Sequence, residues 1–246
     1  MNKFVLLSLK RSGSTYLVSA LNNHKDVTCA GEIFKYNEPL RIINPEFSYF
    51  NSRNENLNSK FLHFTNRGKL VNRHLDKIYD QNSNSIFGFK LMPRQIQRFP
   101  ESKNYIIKHK IPAILLIREQ YLERMISIKV ASNTNIYGSN SEHKKIDKIF
   151  IDTTSLIEEL EKMESQGNEM KEIAKKTKHL VISYEDLTLN KIEETKQEIV
   201  NFLGITSDGL ESPLKKMIKK PMSSIIKNYS EVEKVITASK FSYLLN

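Results

Sequence analysis

The stretch from Lys3 to His24, KFVLLSLKRSGSTYLVSALNNH, decides how this chain folds. Its apolar run, Phe4, Val5, Leu6, Leu7 and Leu9, reads as a buried strand, because parallel strands covered on both faces are near-continuous in hydrophobic residues. Lys10-Arg11-Ser12-Gly13-Ser14-Thr15 follows at once, and Tyr16, Leu17, Ala20 and Leu21 then recur at helical spacing. A strand, a short basic loop with one glycine and a helix together aim backbone N–H groups and a helix N-terminus at one place. Such a place favours an anion, most often a phosphate. Gly13 lets the backbone come close, Ser14 and Thr15 add hydroxyl donors, and Arg11 supplies a fixed charge with a planar donor fork. The loop is not a Walker A sequence, since GxxxxGK[ST] is absent and no lysine follows the glycine.

Composition narrows the class. A chain of 246 residues is long enough to bury a substantial core, as one α/β domain or two small ones. The net charge of +10 points to an anionic partner, or to a chain merely rich in Ile, Asn and Lys. No RNP-like aromatic motif, zinc-ligand spacing or helix-turn-helix accompanies it, so nucleic acid is not the expected partner. The single cysteine, Cys29, excludes an intrachain disulfide and fits a reducing compartment. The strand pattern begins at residue 4, leaving no room for a signal peptide, and no run reaches transmembrane length. A cytoplasmic protein is therefore expected. No repeat, low-complexity segment or second domain interrupts residues 1–246, so a single domain is expected.

The order RSGSTYL directly after the first strand resembles the 5′-phosphosulfate loop of the sulfotransferases that use 3′-phosphoadenosine 5′-phosphosulfate (PAPS). The likeness is greatest to the bacterial carbohydrate and nodulation-factor branch, where arginine often precedes the glycine. It implies that Arg11, Ser12, Gly13, Ser14, Thr15 and Tyr16 hold the phosphosulfate and that no metal is required.

Further along, Val27-Thr28-Cys29-Ala30 is β-prone and leads into Gly31-Glu32-Ile33-Phe34. A strand there beside the first would bring Glu32 to the carboxyl edge of the sheet, where ligands of open α/β folds bind. Glu32 matches the carboxylate of the family's GE(I/Y)F segment, proposed as the base that takes the acceptor's proton. His24 is the competing base and is assigned a structural role in its polar turn. Residues 35–66 and 133–150 are polar, aperiodic inserts, which the resemblance places near the acceptor site. Phe47, Tyr49, Phe50, Phe61 and Phe64 in the first insert either line a sugar or lipid site or form a small core of their own.

Residues 67–80 carry Leu70, Val71, Leu75, Ile78 and Tyr79 on one helical face. Ser85 to Pro93, SIFGFKLMP, is a second buried strand and resembles the family's GxK(L/M)M segment, which makes Lys90 a candidate for holding sulfuryl oxygens or an anionic acceptor, the other reading being a solvated strand-end lysine. Pro100 breaks the helix expected over 93–110. Ile111 to Ile117 is a third apolar strand. The stretch after it, LLIREQYLERMISIKVA, resembles the family's 3′-phosphate motif, with Arg118 and Ser127 as contacts. A fork-shaped donor and a hydroxyl on one helical face can share a phosphate. The spacing is nine residues instead of the usual eight, because Glu119 stands where a second basic residue is common. This rotates the pair by about 100°, and Arg124 is the residue that could compensate.

A long amphipathic helix is expected over 153–177, a last strand over 179–184, and a helix over 188–203 ended by Gly204. VISYEDL resembles the family's YEDL element, whose acidic pair has a structural role at a helix start. The basic tail 215–229 reads as a loop resembling the one that closes over the 3′-phosphate, with Lys219 and Lys220 as contacts, and a final helix is expected over 231–245.

The expected fold is thus α/β and three-layered, with a central, mostly parallel sheet joined by right-handed crossovers. The expected activity, from the resemblance, is sulfuryl transfer from PAPS to a hydroxyl of a saccharide or glycolipid. The alternatives are a P-loop-like nucleotide kinase or hydrolase, and a non-catalytic binder of polyanions. Oligomeric state is left open.

Overall fold

The computed structural model describes residues 2–35, 45–50, 66–82, 85–134, 148–206, 209–211 and 221–245. The opening run forms β1 (Lys3–Ser8), in which every residue after Lys3 is buried. Alternate side chains leave it in opposite directions. Phe4 and Leu6 join a core on one face, and Val5 and Leu7 join the core on the other. Both cores need covering, and helices supply the cover on each side.

Four more strands extend the sheet: β2 (Val27–Cys29), β3 (Ile86–Leu91), β4 (Ala113–Ile117) and β5 (His179–Ser183). All pair in parallel, in the order β2-β3-β1-β4-β5. β1 therefore lies at the centre, with Leu6 level with Lys90 of β3 and Ser8 level with Leu116 of β4. The expected three-layer α/β fold is the one observed.

On one face lie α1 (Ser14–Asn23), whose Leu17, Val18 and Leu21 are buried, and a helix much later in the chain. The opposite face is covered by α2 (Arg67–Gln81), α3 (Pro93–Arg98) and α4 (Pro100–Lys108). The last two are separate because the Phe99–Pro100 step interrupts the helix, as the proline dictates. β4 is followed by α5 (Tyr121–Thr134) and α6 (Leu156–Ala174), the latter adding Met170, Ile173 and Ala174 to the same face. The connection of β1 thus departs to one face while those of its neighbours β3 and β4 depart to the other. In open α/β sheets that reversal opens a crevice at the carboxyl edge, and ligands bind there.

After β5 the chain makes a five-residue π turn, Asp186–Asn190, which buries Leu187, before α7 (Ile192–Leu203). The helix expected from 188 therefore begins at 192, and it ends at Gly204 with φ +73° as anticipated. The described part of the tail, from residue 221, differs from the expected loop. Residues Met222–Ile225 form a helical turn, α8, and Ile226 bridges to Ile149, with Ile149 N–H and Lys227 N–H bonded across at 2.8 and 2.7 Å. The final helix, α9 (Tyr229–Thr237), stops early, because the Ser239 hydroxyl accepts the Phe241 N–H at 3.1 Å and turns the chain into the short 3-10 turn Ser242–Leu245. These elements form a third core with α5 and the start of α6.

The aromatic residues of the first insert resolve to core. Phe47, Tyr49 and Phe50 are buried among Phe34, His74, Phe87 and Phe99, with ring centroids 5.0 to 5.8 Å apart for the closest pairs. Phe61 and Phe64 lie outside the described residues, as do most of both inserts. No helix among the described residues is long and apolar enough to cross a membrane.

Candidate functional site

The loop between β1 and α1 is held in a shape that few sequences tolerate. Arg11 has φ +64° and Gly13 φ +83°, two left-handed residues within three. Gly13 is required twice over, since a Cβ there would stand 2.4 Å from the Tyr184 ring. Arg11 has a Cβ, so its conformation costs on the order of 1–2 kcal/mol and must be imposed by its surroundings. The Ser12 hydroxyl donates to Leu9 O at 2.7 Å, Arg124 Nε to Lys10 O at 2.9 Å and Arg118 Nη1 to Arg11 O at 3.4 Å. Ser12 is thus committed inside the loop, whereas Thr15 is exposed and Tyr16 half-buried at the start of α1.

α1 begins with no side-chain cap and no acidic residue in its first turn. The Leu17 N–H is the one bonded back to Gly13 O, so those of Ser14, Thr15 and Tyr16 have no helical carbonyl to meet. Beside this N-terminus stands Lys90, buried on β3, its Nζ 3.4 Å from Ser14 Oγ. It is not a solvated strand-end lysine. Glu32 reaches the same point from the end of β2, because the Lys90 N–H donates to Gly31 O at 2.8 Å and fixes the turn that carries it. One oxygen of Glu32 lies 2.9 Å from Lys90 Nζ, and the other accepts from Gln95 Nε2 at 3.1 Å. A carboxylate has about four lone-pair positions, so both oxygens retain capacity for a further hydrogen bond.

On the far side of the loop, Arg11 Nε donates to Ser127 Oγ at 2.9 Å. Two stretches 116 residues apart, assigned by resemblance to the 5′ and 3′ ends of one nucleotide, thereby touch. The nine-residue spacing has its consequence here. Ser127 meets Arg11, while Arg118 turns to Glu123, which accepts from its Nη2, and to Glu185, 3.9 Å from its Nε. Arg118 also stacks on Tyr184, 4.5 Å from the ring centroid. Glu185 accepts the Glu119 and Gln120 N–H groups at the head of α5 as well, a structural role in keeping with its place after β5.

His24 sits at the other end of α1, about 15 Å away for a ten-residue helix. It is buried against Thr206 and accepts the Asp26 N–H. It is not part of this cluster. Lys219 and Lys220 lie outside the described residues. Among the described residues, no three His, Cys, Asp or Glu side chains gather as a metal site would need.

Two residues of the cluster are not among the expected site residues. Tyr184 wedges between Gly13 and Arg118, and Gln95 bridges Met92 N–H and Glu32. The signal for Gln95 is a capping box, a Gln three residues into a helix that starts at Met92-Pro93. Neither models of known protein families nor curated protein sequences match the chain.

Proposed function

We propose that the protein is a sulfotransferase that moves a sulfuryl group from PAPS to a hydroxyl of a saccharide or glycolipid. The observation that carries this reading is the linked set Glu32, Lys90 and Ser14 at the uncapped start of α1. A carboxylate able to take a proton stands one ammonium away from a cradle of anion donors. PAPS fits that donor set, because its phosphate and sulfonate oxygens are acceptors only and Lys90, Arg11 and the α1 N–H groups are donors only. When bound, PAPS supplies a sulfuryl group activated by its phosphate leaving group.

The chain's own residues then divide the work. Lys90 and the α1 N-terminus hold negative oxygens, and Arg11, bonded to Ser127 on the far side of the loop, adds a fixed charge to the site. Ser127 steadies the Arg11 guanidinium from α5. Glu32 accepts the proton of the acceptor hydroxyl, with Gln95 holding its far oxygen. A cytoplasmic setting belongs to the same proposal and is supported by Cys29, which is free and buried. Burial pushes its thiol up to about 12, so it stays protonated at neutral pH.

Thermal shifts with adenosine 3′,5′-bisphosphate, ADP and ATP–Mg²⁺ test the nucleotide, and transfer from labelled PAPS tests the chemistry. The bisphosphate is expected to stabilise selectively, by roughly 5–10 °C at about 100 times its dissociation constant. Arg11→Ala is expected to lower transfer roughly 10²- to 10³-fold. Preference for ATP–Mg²⁺ would replace this reading with a kinase or hydrolase, and near-normal transfer by Arg11→Ala would remove the role given to that residue.

A further inference from the structure

Arg124 lies on α5 against the loop and is 2 % exposed, the largest fully buried side chain described. Its Nε donates to Lys10 O at 2.9 Å and its Nη2 reaches Gln166 Oε1 at 3.4 Å. Its Nη1 is buried without a hydrogen-bond partner. None of the ion pairs among the described residues includes Arg124, and its charged neighbour is a second cation, Arg118. A guanidinium removed from water with no counter-charge is among the costliest groups a protein can bury. Burial holds it down to about 10, with neighbouring Tyr121 opposing that fall and Arg118 adding to it.

This buried cation is bonded to a segment that needs a strained backbone. The Lys10 carbonyl that it grips belongs to the peptide leading into Arg11, the residue at φ +64°. In a trans peptide the C=O and the following N–H point in opposite directions, so gripping that carbonyl turns the Arg11 N–H away from α5. Arg118 grips the next carbonyl in the same way. An aliphatic side chain could fill the volume of Arg124 but could supply neither the hydrogen bond nor the charge.

We propose that Arg124 is a positioning residue that holds the Lys10–Gly13 loop in its left-handed form, and that its unpaired charge is balanced by the oxyanion the loop receives. Arg124 need not touch that anion, because charges in a low-dielectric interior act over several ångströms. The ligand-free protein carries an uncompensated cation and is less stable for it, and the phosphate or sulfate group of a ligand relieves the imbalance. The inference rests on the loop being an anion site, as proposed above.

The test is a thermal-shift series on the full chain with Arg124→Met and Arg124→Lys, using pyrophosphate and adenosine 3′,5′-bisphosphate as probes. Without ligand, Arg124→Met is expected to melt at the wild-type temperature or above it, since replacing a buried charge by an apolar side chain of similar size is often neutral or stabilising. With either probe, its affinity is expected to fall on the order of 10-fold or more, the size of a charge interaction over several ångströms inside a protein. Arg124→Lys keeps the charge and should recover most of the ligand-induced shift. An Arg124→Met protein that binds both probes as wild type does, or that loses stability without ligand as a truncated core residue would, overturns the inference and makes Arg124 an ordinary structural residue. A wild-type protein unmoved by both probes overturns it together with the anion site. A wild-type response to pyrophosphate with no gain from the nucleoside leaves the role of Arg124 standing and removes the PAPS reading alone.

Discussion

At the scale of single residues, the site depends on side chains that hold others in place. Gln95 is the plainest case. The Met92 N–H can be donated only to an oxygen, which puts Oε1 of Gln95 toward Met92 and leaves its Nε2 facing Glu32. Gln95→Leu removes that donor at nearly constant volume. Transfer from PAPS is expected to fall on the order of 10-fold in kcat/KM, the size of one hydrogen bond to a charged group, while the thermal shift with adenosine 3′,5′-bisphosphate stays as in wild type. Loss of the nucleotide shift as well would show that Gln95 supports the nucleotide loop and not the base. Glu32 and Lys90 were legible in the sequence because each ends an apolar run, and strand ends in such folds meet at one edge. Gln95 was not, because its role arises only when the short helix after β3 folds back over the end of β2. Arg118 is a different case: expected as a 3′-phosphate contact, its guanidinium is engaged by Glu123, Glu185 and Tyr184, partners that spacing alone does not reveal.

At the scale of elements, apolar runs and periodicity marked the strands and most helices among the described residues, while the aromatic residues of the first insert were left between a ligand site and a small core. Phe47, Tyr49 and Phe50 have no period of their own, so nothing local shows that they complete the face formed by α2 and β3. The link is His74, which falls in the buried stripe of α2 between Val71 and Leu75. Its Nε2 meets Phe47 O at 3.1 Å, which requires the neutral ring to carry its proton there. Burial, more than the nearby Lys77, pulls its pKa from 6.5 to about 4, and the bond to Phe47 only partly opposes that. Between those values the unfolded chain binds a proton that the folded protein does not. The stability due to a neutral His74 is therefore complete above about pH 6.5 and is lost as pH falls toward 4, on the order of 3 kcal/mol in all. Urea unfolding at pH 7 and pH 5 should show about 2 kcal/mol of that loss. His74→Gln can still donate to Phe47 O but cannot titrate, so its stability should fall less over the same interval. Equal losses in the two proteins would assign the pH dependence to other groups.

At the scale of the whole molecule, the sheet sets the site from two sides and the C-terminal segment sets it from a third. The tail was read as a basic loop closing over a phosphate, and Lys219 and Lys220 lie outside the described residues. What the described part of that tail does is structural: Ile225, Ile226, Val232, Ile236, Phe241 and Leu244 are buried against Leu122, Met125, Ile126 and Val130 of α5. α5 also carries Arg124 and Ser127, which hold Lys10 and Arg11. The loop that begins the chain's first helix is thus clamped by a helix whose other face depends on the last residues. Burying six such side chains contributes on the order of 10 kcal/mol, as much as the net stability of a whole domain, so deleting the segment would test folding and not coupling. Phe241→Ala is the milder probe. It should cost about 3–5 kcal/mol, and if the clamp is transmitted through α5 it should also weaken adenosine 3′,5′-bisphosphate binding, measured by calorimetry well below the variant's melting temperature, although Phe241 lies in the third core and not at the loop. A variant that is less stable yet binds the nucleotide with wild-type affinity would mean that the sheet alone keeps α5, and with it Arg124 and Ser127, in position.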